Sequence, residues 1–336
     1  MNQVSSTASH CEVGIEGLDL RPATIGDSQK VRRVAVLIPC FNEEQAIAKV
    51  VRDFQRVLPD ATIYVYDNNS HDRSYELAEA AGARVRREPL QGKGHVVRRM
   101  FADVEANIYV LVDGDDTYDA AVAEAMTSRL IQDDLDMVVG CRVTEASGAY
   151  RVGHRFGNAI LTAFVARLFG NRFSDILSGY RVLSRRFVKS FPALTGGFEI
   201  ETELSVHALA LAMPIAEINT DYGARPKGST SKLRTYRDGI RILLTIIALF
   251  KNERPLAFFG LIFVALAVAS LALAYPVLIT YLATGLVPRL PTAILSTGLM
   301  ILSFLSLTCG LVLDTVTRGR REMKRLAYLS ISTIVR

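Results

Sequence analysis

Apolar and polar positions follow two rhythms along the chain, and the change of rhythm divides it. Residues 31–225 alternate short apolar runs with segments of helical period. Val34–Pro39 is an unbroken apolar run, the pattern of a strand buried on both faces of a parallel sheet. Ile47, Val50, Val51, Phe54 and Leu58 then recur at helical spacing. Asn42 and Gln45 stand where a capping box would open that helix, with Glu43 and Glu44 in its first turn. Strands are predicted at Thr62–Tyr66, Ala83–Arg86, Ile108–Val112 and Leu135–Gly140, and helices over 73–81, 94–105 and 119–130. This succession predicts an α/β domain over 31–235 with a Rossmann-like, mostly parallel sheet. In such sheets ligands bind beyond the carboxyl ends of the strands. Asn42/Glu43, Asp67–Ser70, Asp113–Asp116 and Arg142 all fall on that edge.

The second rhythm is continuous apolarity. Between Pro255 and Thr317 the only charged residues are Arg289 and Asp314. A helix needs about 20 apolar residues to cross a bilayer core. Two spans fit, at about 257–282 and 291–315, joined through Gly285, Pro288 and Pro291 as a hairpin. Arg225, Lys227, Lys232, Arg234, Arg237, Arg241, Lys251 and Arg254 precede the hairpin, and Arg318, Arg320, Arg321, Lys324 and Arg325 follow it. Positive charge marks the cytoplasmic side, so the soluble domain and both termini are expected in the cytoplasm, at the plasma (bacterial inner) membrane. The apolar segment 240–250 is too short to span, and 236–254 is predicted to be a juxtamembrane amphipathic helix. Residues 1–30 are polar, with no apolar core of a signal peptide, and are expected to be a flexible tail. Residues 318–336 are expected to be a basic cytoplasmic tail.

Composition agrees with this division. Half of the 336 residues are hydrophobic, which the hairpin accounts for. Four scattered cysteines without a C-x-x-C pair argue against a disulfide framework or a zinc ribbon. The net charge of +5 would suit nucleic acid, an anionic membrane or phosphorylated substrates. Its concentration beside the apolar spans excludes nucleic acid and favours the other two.

Asp113-x-Asp115 places two carboxylates in one turn after a buried strand. Such hard oxygen ligands suit Mg²⁺ or Mn²⁺, with phosphate oxygens completing the shell; turn and N-cap chemistry would use the same residues. Tyr118 occupies the position where a calcium loop needs glycine, which excludes an EF-hand. Asp67 suits hydrogen bonds from a base or ribose, or an Asx-turn. Gly92-Lys93-Gly94 would bring a cation and backbone N–H groups near phosphate without being a Walker motif. Arg142, Arg151 and Arg155 carry guanidinium groups suited to phosphate. Arg225, Lys227 and Lys232 suit a phosphate or anionic lipid headgroups.

In order, the chain carries P-C-F-N-E-E (39–44), Y-D-N-N-S (66–70), G-K-G (92–94), D-G-D-D (113–116), G-C-R (140–142), D-I-L-S-G-Y-R (175–181) and S-K-L (231–233). Together these resemble the family-2 glycosyltransferases of GT-A fold. More narrowly, they resemble polyprenyl-phosphate glycosyltransferases such as dolichyl-phosphate mannose synthase and bacterial undecaprenyl-phosphate sugar transferases. The resemblance implies that Pro39, Phe41, Glu43, Asp67 and Lys93 bind the nucleotide-sugar, and that Asp113 and Asp115 hold Mg²⁺ or Mn²⁺ and the donor diphosphate. It also implies that Asp175 lies near the transferred sugar, and that Arg142, Arg155, Arg225 and Lys232 meet the acceptor phosphate. Asp116-Thr117 stands where the mannose synthases usually carry Leu-Gln, and Y-D-N-N-S is closer to bacterial relatives that use UDP-sugars. The expected activity is therefore inverting, metal-dependent transfer of a hexose from a UDP-sugar to a polyprenyl phosphate at the membrane. The enzyme would make a lipid-phosphate-sugar for glycan or lipopolysaccharide modification, and the resemblance is compatible with a homo-oligomer. The alternatives are a mannose synthase using GDP-mannose and a non-catalytic membrane-anchored scaffold. A processive polysaccharide synthase is disfavoured, because the chain has no tryptophan for a Q-x-x-R-W motif.

Overall fold

The computed structural model describes residues 32–143, 173–197, 199–223 and 235–332. Arg151, Arg155, Arg225, Lys227, Lys232 and the N-terminal segment lie outside the described residues.

The first half builds as its pattern predicts. Strand β1 (Val34–Cys40) leads to helix α1 (Ile47–Val57), β2 (Thr62–Asp67) to α2 (Ser74–Ala80), β3 (Arg84–Arg87) to α3 (Lys93–Asp103), and β4 (Ile108–Leu111) to α4 (Val122–Gln132). Strand β5 (Met137–Val143) follows. Neighbours β3, β2, β1 and β4 are all parallel. Successive β1 residues serve opposite layers: Ala35 and Leu37 join one buried cluster, and Val36, Ile38 and Cys40 the other. A strand apolar on both faces needs helices on both, which gives three layers.

The second half departs from the parallel pattern. Strand β6 (Arg181–Ser184) inserts antiparallel between β4 and β5, and β7 (Ile215–Asp221) pairs parallel with β5. The sheet order is β3-β2-β1-β4-β6-β5-β7. Between β6 and β7 come α5 (Arg185–Ser190) and α6 (Ile200–Ala210). Because β6 runs backwards, its approach segment 175–180 arrives at the edge where the other strands end.

The expected capping box does not form. Helix α1 starts at Ile47 behind Ala46, with no side-chain cap. Asn42 instead turns through φ 53°, and its Oδ1 accepts the His71 N–H at 2.8 Å. The side chain ties two sheet-edge loops together instead of capping a helix.

Helix α7 (Thr235–Glu253) includes the segment read as amphipathic. Ile240, Leu243, Leu244 and Ile247 form an exposed stripe, whereas Ile246 is buried in the domain core. Helices α8 (Pro255–Thr284) and α9 (Leu290–Leu329) are long and apolar enough to cross a membrane. Ser296, Ser303, Gly310 and Thr317, seven residues apart, are the buried positions of α9. Ser303 Oγ donates to the Phe263 carbonyl at 3.1 Å, and a Cβ on Gly310 would lie 3.0 Å from Phe259. Small residues on a heptad let two apolar helices approach closely.

The basic segment beyond Arg318 continues α9 to Leu329 and returns to the soluble domain. Tyr328 Oη donates to buried Asp136 Oδ2 at 2.7 Å, and the Arg186 guanidinium lies 5.0 Å from the Tyr328 ring centre. Asp136 Oδ1 also accepts from Ser184 Oγ at 2.6 Å and from Arg186.

His207 on α6 is wedged edge-on against Phe187 and Phe191. Burial, followed by the positive charge of Lys324, pushes its imidazole from 6.5 down to about 3. The unfolded chain therefore takes up a proton below pH 6.5 that the folded chain refuses until about pH 3. Stability is full above pH 6.5 and is lost as pH falls through this window, by up to about 1.4 kcal/mol per unit. The thermal midpoint in detergent should fall as the pH is lowered from about 7.5 to about 5. His207→Gln should flatten that decline.

Candidate active site

The carboxyl edge of the sheet is held by hydrogen bonds between its loops. The Asn42 N–H donates to Ser70 Oγ at 2.9 Å, and the Glu43 N–H to Ser74 Oγ at 2.7 Å. Asn68 braces the next loop: its amide donates to the Glu88 and Leu90 carbonyls, and its Oδ1 accepts the Gly92 N–H at 2.7 Å. Each bond fixes a turn that carries an expected site residue.

Pro39 and Phe41 are half-buried at the end of β1, and Phe41 meets His71 edge-on at 6.4 Å. Glu43 is buried beside them in sequence. Asp67 is the last residue of β2 and pairs in register with Cys40. Its Oδ2 accepts the Ser70 N–H at 3.3 Å, while its Oδ1 is buried without a hydrogen-bond partner among the described residues. A buried acceptor without a donor costs about 1–3 kcal/mol. A donor N–H or O–H from a ligand would relieve it.

Lys93 opens α3 and does not stand alone. Its ammonium lies 2.5 Å from Asp113 Oδ1 and also contacts Glu201 Oε1 at the start of α6. The side chains of Lys93 and Glu201 are 9% and 7% exposed. Burial alone would push the ammonium down, but Asp113 and Glu201 outweigh it and hold Lys93 above the usual lysine range. Glycines permit this approach. Gly92 adopts φ 133°, and a Cβ there would fall 2.1 Å from the Gly196 carbonyl oxygen. A Cβ on Gly94 would fall 2.1 Å from the Thr195 carbonyl oxygen. Glu203, one turn into α6, accepts the Leu194 and Thr195 N–H groups at 2.9 Å and fixes that loop.

Asp113 and Asp115 follow β4 within one turn. Asp113 Oδ2 faces Gly179, where a Cβ would lie 2.3 Å away. The Gly179 N–H is held by Tyr118 Oη at 2.9 Å. Asp115 is buried, and its Oδ1 accepts from Thr117 Oγ1 at 2.6 Å. Asp116, at φ 57°, pairs with Lys49 at 2.7 Å, outside the Asp113–Asp115 pair. Asp175 forms a bidentate ion pair with Arg142, at 2.7 Å for both Nε and Nη2. The Arg142 guanidinium also lies 5.5 Å from the Tyr222 ring centre. Arg181 is fully buried and donates to the Ser178 and Ile176 carbonyls at 3.0 and 2.8 Å, which pins the segment after Asp175.

The sheet edge thus brings together Pro39, Phe41, Glu43, Asp67, Lys93, Asp113, Asp115, Arg142 and Asp175. Arg155, Arg225 and Lys232 lie outside the described residues. Among the described residues no cluster of three or more His, Cys, Asp or Glu side chains is placed to cage a metal. Asp113 and Asp115 nevertheless fit a small divalent cation, which takes one or two carboxylates and fills its shell with phosphate oxygens and water. Sequence reasoning missed Glu201, Gly179 and Tyr118. For Glu201 the only signal is a glutamate inside an apolar helix that is buried on every side.

The family model for Glycosyl transferase family 2 matches residues 35–191. Glycosyltransferase AglJ of Haloferax volcanii is 33% identical over 299 residues, covering 88% of this chain and 98% of that one. A dolichyl-phosphate hexose transferase of the same organism is 28% identical over 221 residues, covering 66% and 95%. The fold is similar to that of glucosyl-3-phosphoglycerate synthase from Mycobacterium tuberculosis, crystallised with Mn²⁺, UDP and phosphoglyceric acid. That similarity has a TM-score of 0.54 at 20% identity, over 66% of this chain and 79% of the other. With its GT-A-like sheet and its match over nearly the whole length of a glycosyltransferase, the chain belongs to glycosyl transferase family 2 and is a glycosyltransferase.

Proposed function

We propose that the enzyme transfers a hexose from a UDP-sugar to a polyprenyl phosphate, with inversion, at the cytoplasmic face of the plasma membrane. The observation that carries this reading is one chain joining a sheet edge lined with Asp67, Lys93, Asp113 and Asp115 to two apolar helices, the second docked on the same domain through Tyr328. An enzyme whose acceptor stays in the bilayer needs both. Basic residues on both flanks of the hairpin, Arg254 and Arg318 among them, favour a cytoplasmic domain.

In this reading Asp67 Oδ1 accepts a hydrogen bond from the base or ribose, and Pro39, Phe41 and Glu43 wall the nucleotide. Asp113 and Asp115 hold Mg²⁺ or Mn²⁺, which when bound neutralises charge on the departing diphosphate. Lys93 adds positive charge at the same end. The acceptor is a phosphate monoester, mostly dianionic near pH 7, so it attacks without prior loss of a proton. Its oxygen bonds to the anomeric carbon as the bond to the diphosphate oxygen breaks, and UDP leaves with the electron pair. Attack from the opposite face converts an α-donor into a β-linked product. Asp175 holds the Arg142 guanidinium ready for phosphate, and Arg155, Arg225 and Lys232 are proposed as further acceptor contacts. The protein's task is positioning and charge stabilisation.

A donor panel tests the proposal. Purified protein in detergent, supplied with undecaprenyl phosphate, Mn²⁺ and one nucleotide-sugar at a time, should give a β-linked lipid-phosphate-hexose with a UDP-sugar. Product from GDP-mannose alone would favour the mannose synthase, an α-linked product would overturn inversion, and no UDP binding would favour a scaffold. Asp115→Asn should lower turnover by about a hundredfold or more in the same assay.

Gly179→Ala puts a methyl carbon 2.3 Å from Asp113 Oδ2, closer than the two atoms can approach. It should cost on the order of a hundredfold in turnover by displacing that carboxylate. Circular dichroism should show the fold retained.

A further inference from the structure

Asp113 Oδ1 lies 2.5 Å from the Lys93 ammonium. An oxygen that close to one positive charge is a weakened ligand for a divalent cation, because the two charges repel across a few ångströms. The other oxygen, Oδ2, packs against Gly179. For a cation to take Asp113 at full strength, the lysine has to release Oδ1.

Glu201 is built to receive it. Its Oε1 already contacts Lys93. Its Oε2 is buried and has no hydrogen-bond partner among the described residues. Buried carboxylate oxygens normally find donors, so this one stands as a second acceptor for the same ammonium. The backbones are fixed on both sides: the Gly94 N–H donates to the Gly196 carbonyl at 3.1 Å, and Glu203 anchors the loop before α6. Only the lysine side chain has to move.

We infer that Glu201 is a positioning residue that draws Lys93 off Asp113, freeing that carboxylate for the divalent cation; this rests on the metal-dependent reading above. Before the donor arrives, Lys93 stands in for the cation and keeps Asp113 from facing Glu201 unscreened. Afterwards the ammonium belongs to Glu201 alone. Without Glu201, the lysine has no other carboxylate partner among the described residues and competes for Asp113.

The test is a Mn²⁺ titration of the full chain in detergent, with UDP present, read by electron paramagnetic resonance. Glu201→Gln should weaken Mn²⁺ binding about tenfold or more. Adding Lys93→Gln to Glu201→Gln should restore it when both variants are titrated without UDP, because the competing charge is gone and no lysine–diphosphate contact is lost. A glutamate that merely supports the fold would not give Mn²⁺ affinity back in this way. Undiminished binding in Glu201→Gln, or a double variant as weak as the single, overturns the inference. If Glu201→Gln does not fold by circular dichroism, Lys93→Gln alone decides, titrated without UDP. Tighter Mn²⁺ binding than in the unaltered protein supports the inference, and equal or weaker binding overturns it. If the unaltered protein binds no Mn²⁺ with UDP, the metal-dependent reading falls, and this inference with it.

Discussion

A single ammonium shared by two carboxylates constrains the active edge. Lys93, Asp113 and Glu201 come from three separate segments; Lys93 and Glu201 are withdrawn from water and Asp113 is half-buried. Buried charges persist only where each finds a partner. The backbone therefore has to bring the start of α3, the turn after β4 and the start of α6 within side-chain reach of one another. The glycines follow from that demand. Gly92 and Gly94 let the lysine loop touch the 195–196 carbonyls, and Gly179 makes room for Asp113. In each place a methyl group would force apart the segments that the charges pull together.

The parallel half of the fold was legible in the sequence because its determinants are local. Val34–Pro39 and Ile108–Val112 are apolar throughout, and their polar successors mark the turns. Asp67, Asp113 and Asp115 could be placed because the end of such a strand is the binding edge. Strand β6 was hidden because it begins with Arg181, a charged residue that the fold buries completely. Helix α6 was hidden because it is buried on all sides and shows no amphipathic stripe. Glu201 could not be paired with Lys93, 108 residues away, from spacing alone. Arg142 read as a phosphate ligand, and the structure adds that Asp175 grips it from 33 residues further on. Asn42 looked like a cap because its spacing to Gln45 is right, but its oxygen is taken by the neighbouring loop.

The two apolar helices and the soluble domain meet at more than one point. Glu253 at the end of α7 pairs with Arg321 and Lys324 of α9, and the Asn252 carbonyl accepts from Thr317 at 3.0 Å. Further along the same helix, Tyr328 reaches Asp136 behind β5, and Ile246 of α7 plugs the same core that Tyr328 covers. The apolar hairpin is thereby part of the domain's packing.

Helix α9 runs 40 residues without a break from the hairpin turn to that contact. At 1.5 Å per residue it is about 60 Å long, roughly twice the thickness of a bilayer core. An unbroken helix transmits phase as well as distance. One residue inserted between Thr317 and Tyr328 would swing the tyrosine by about 100° around the axis, away from Asp136. Seven would nearly restore its bearing but carry it about 10 Å too far. In the proposed membrane-spanning arrangement, height above the lipid and rotation of the sheet edge are thus set together by one helix, and neither can drift without the other.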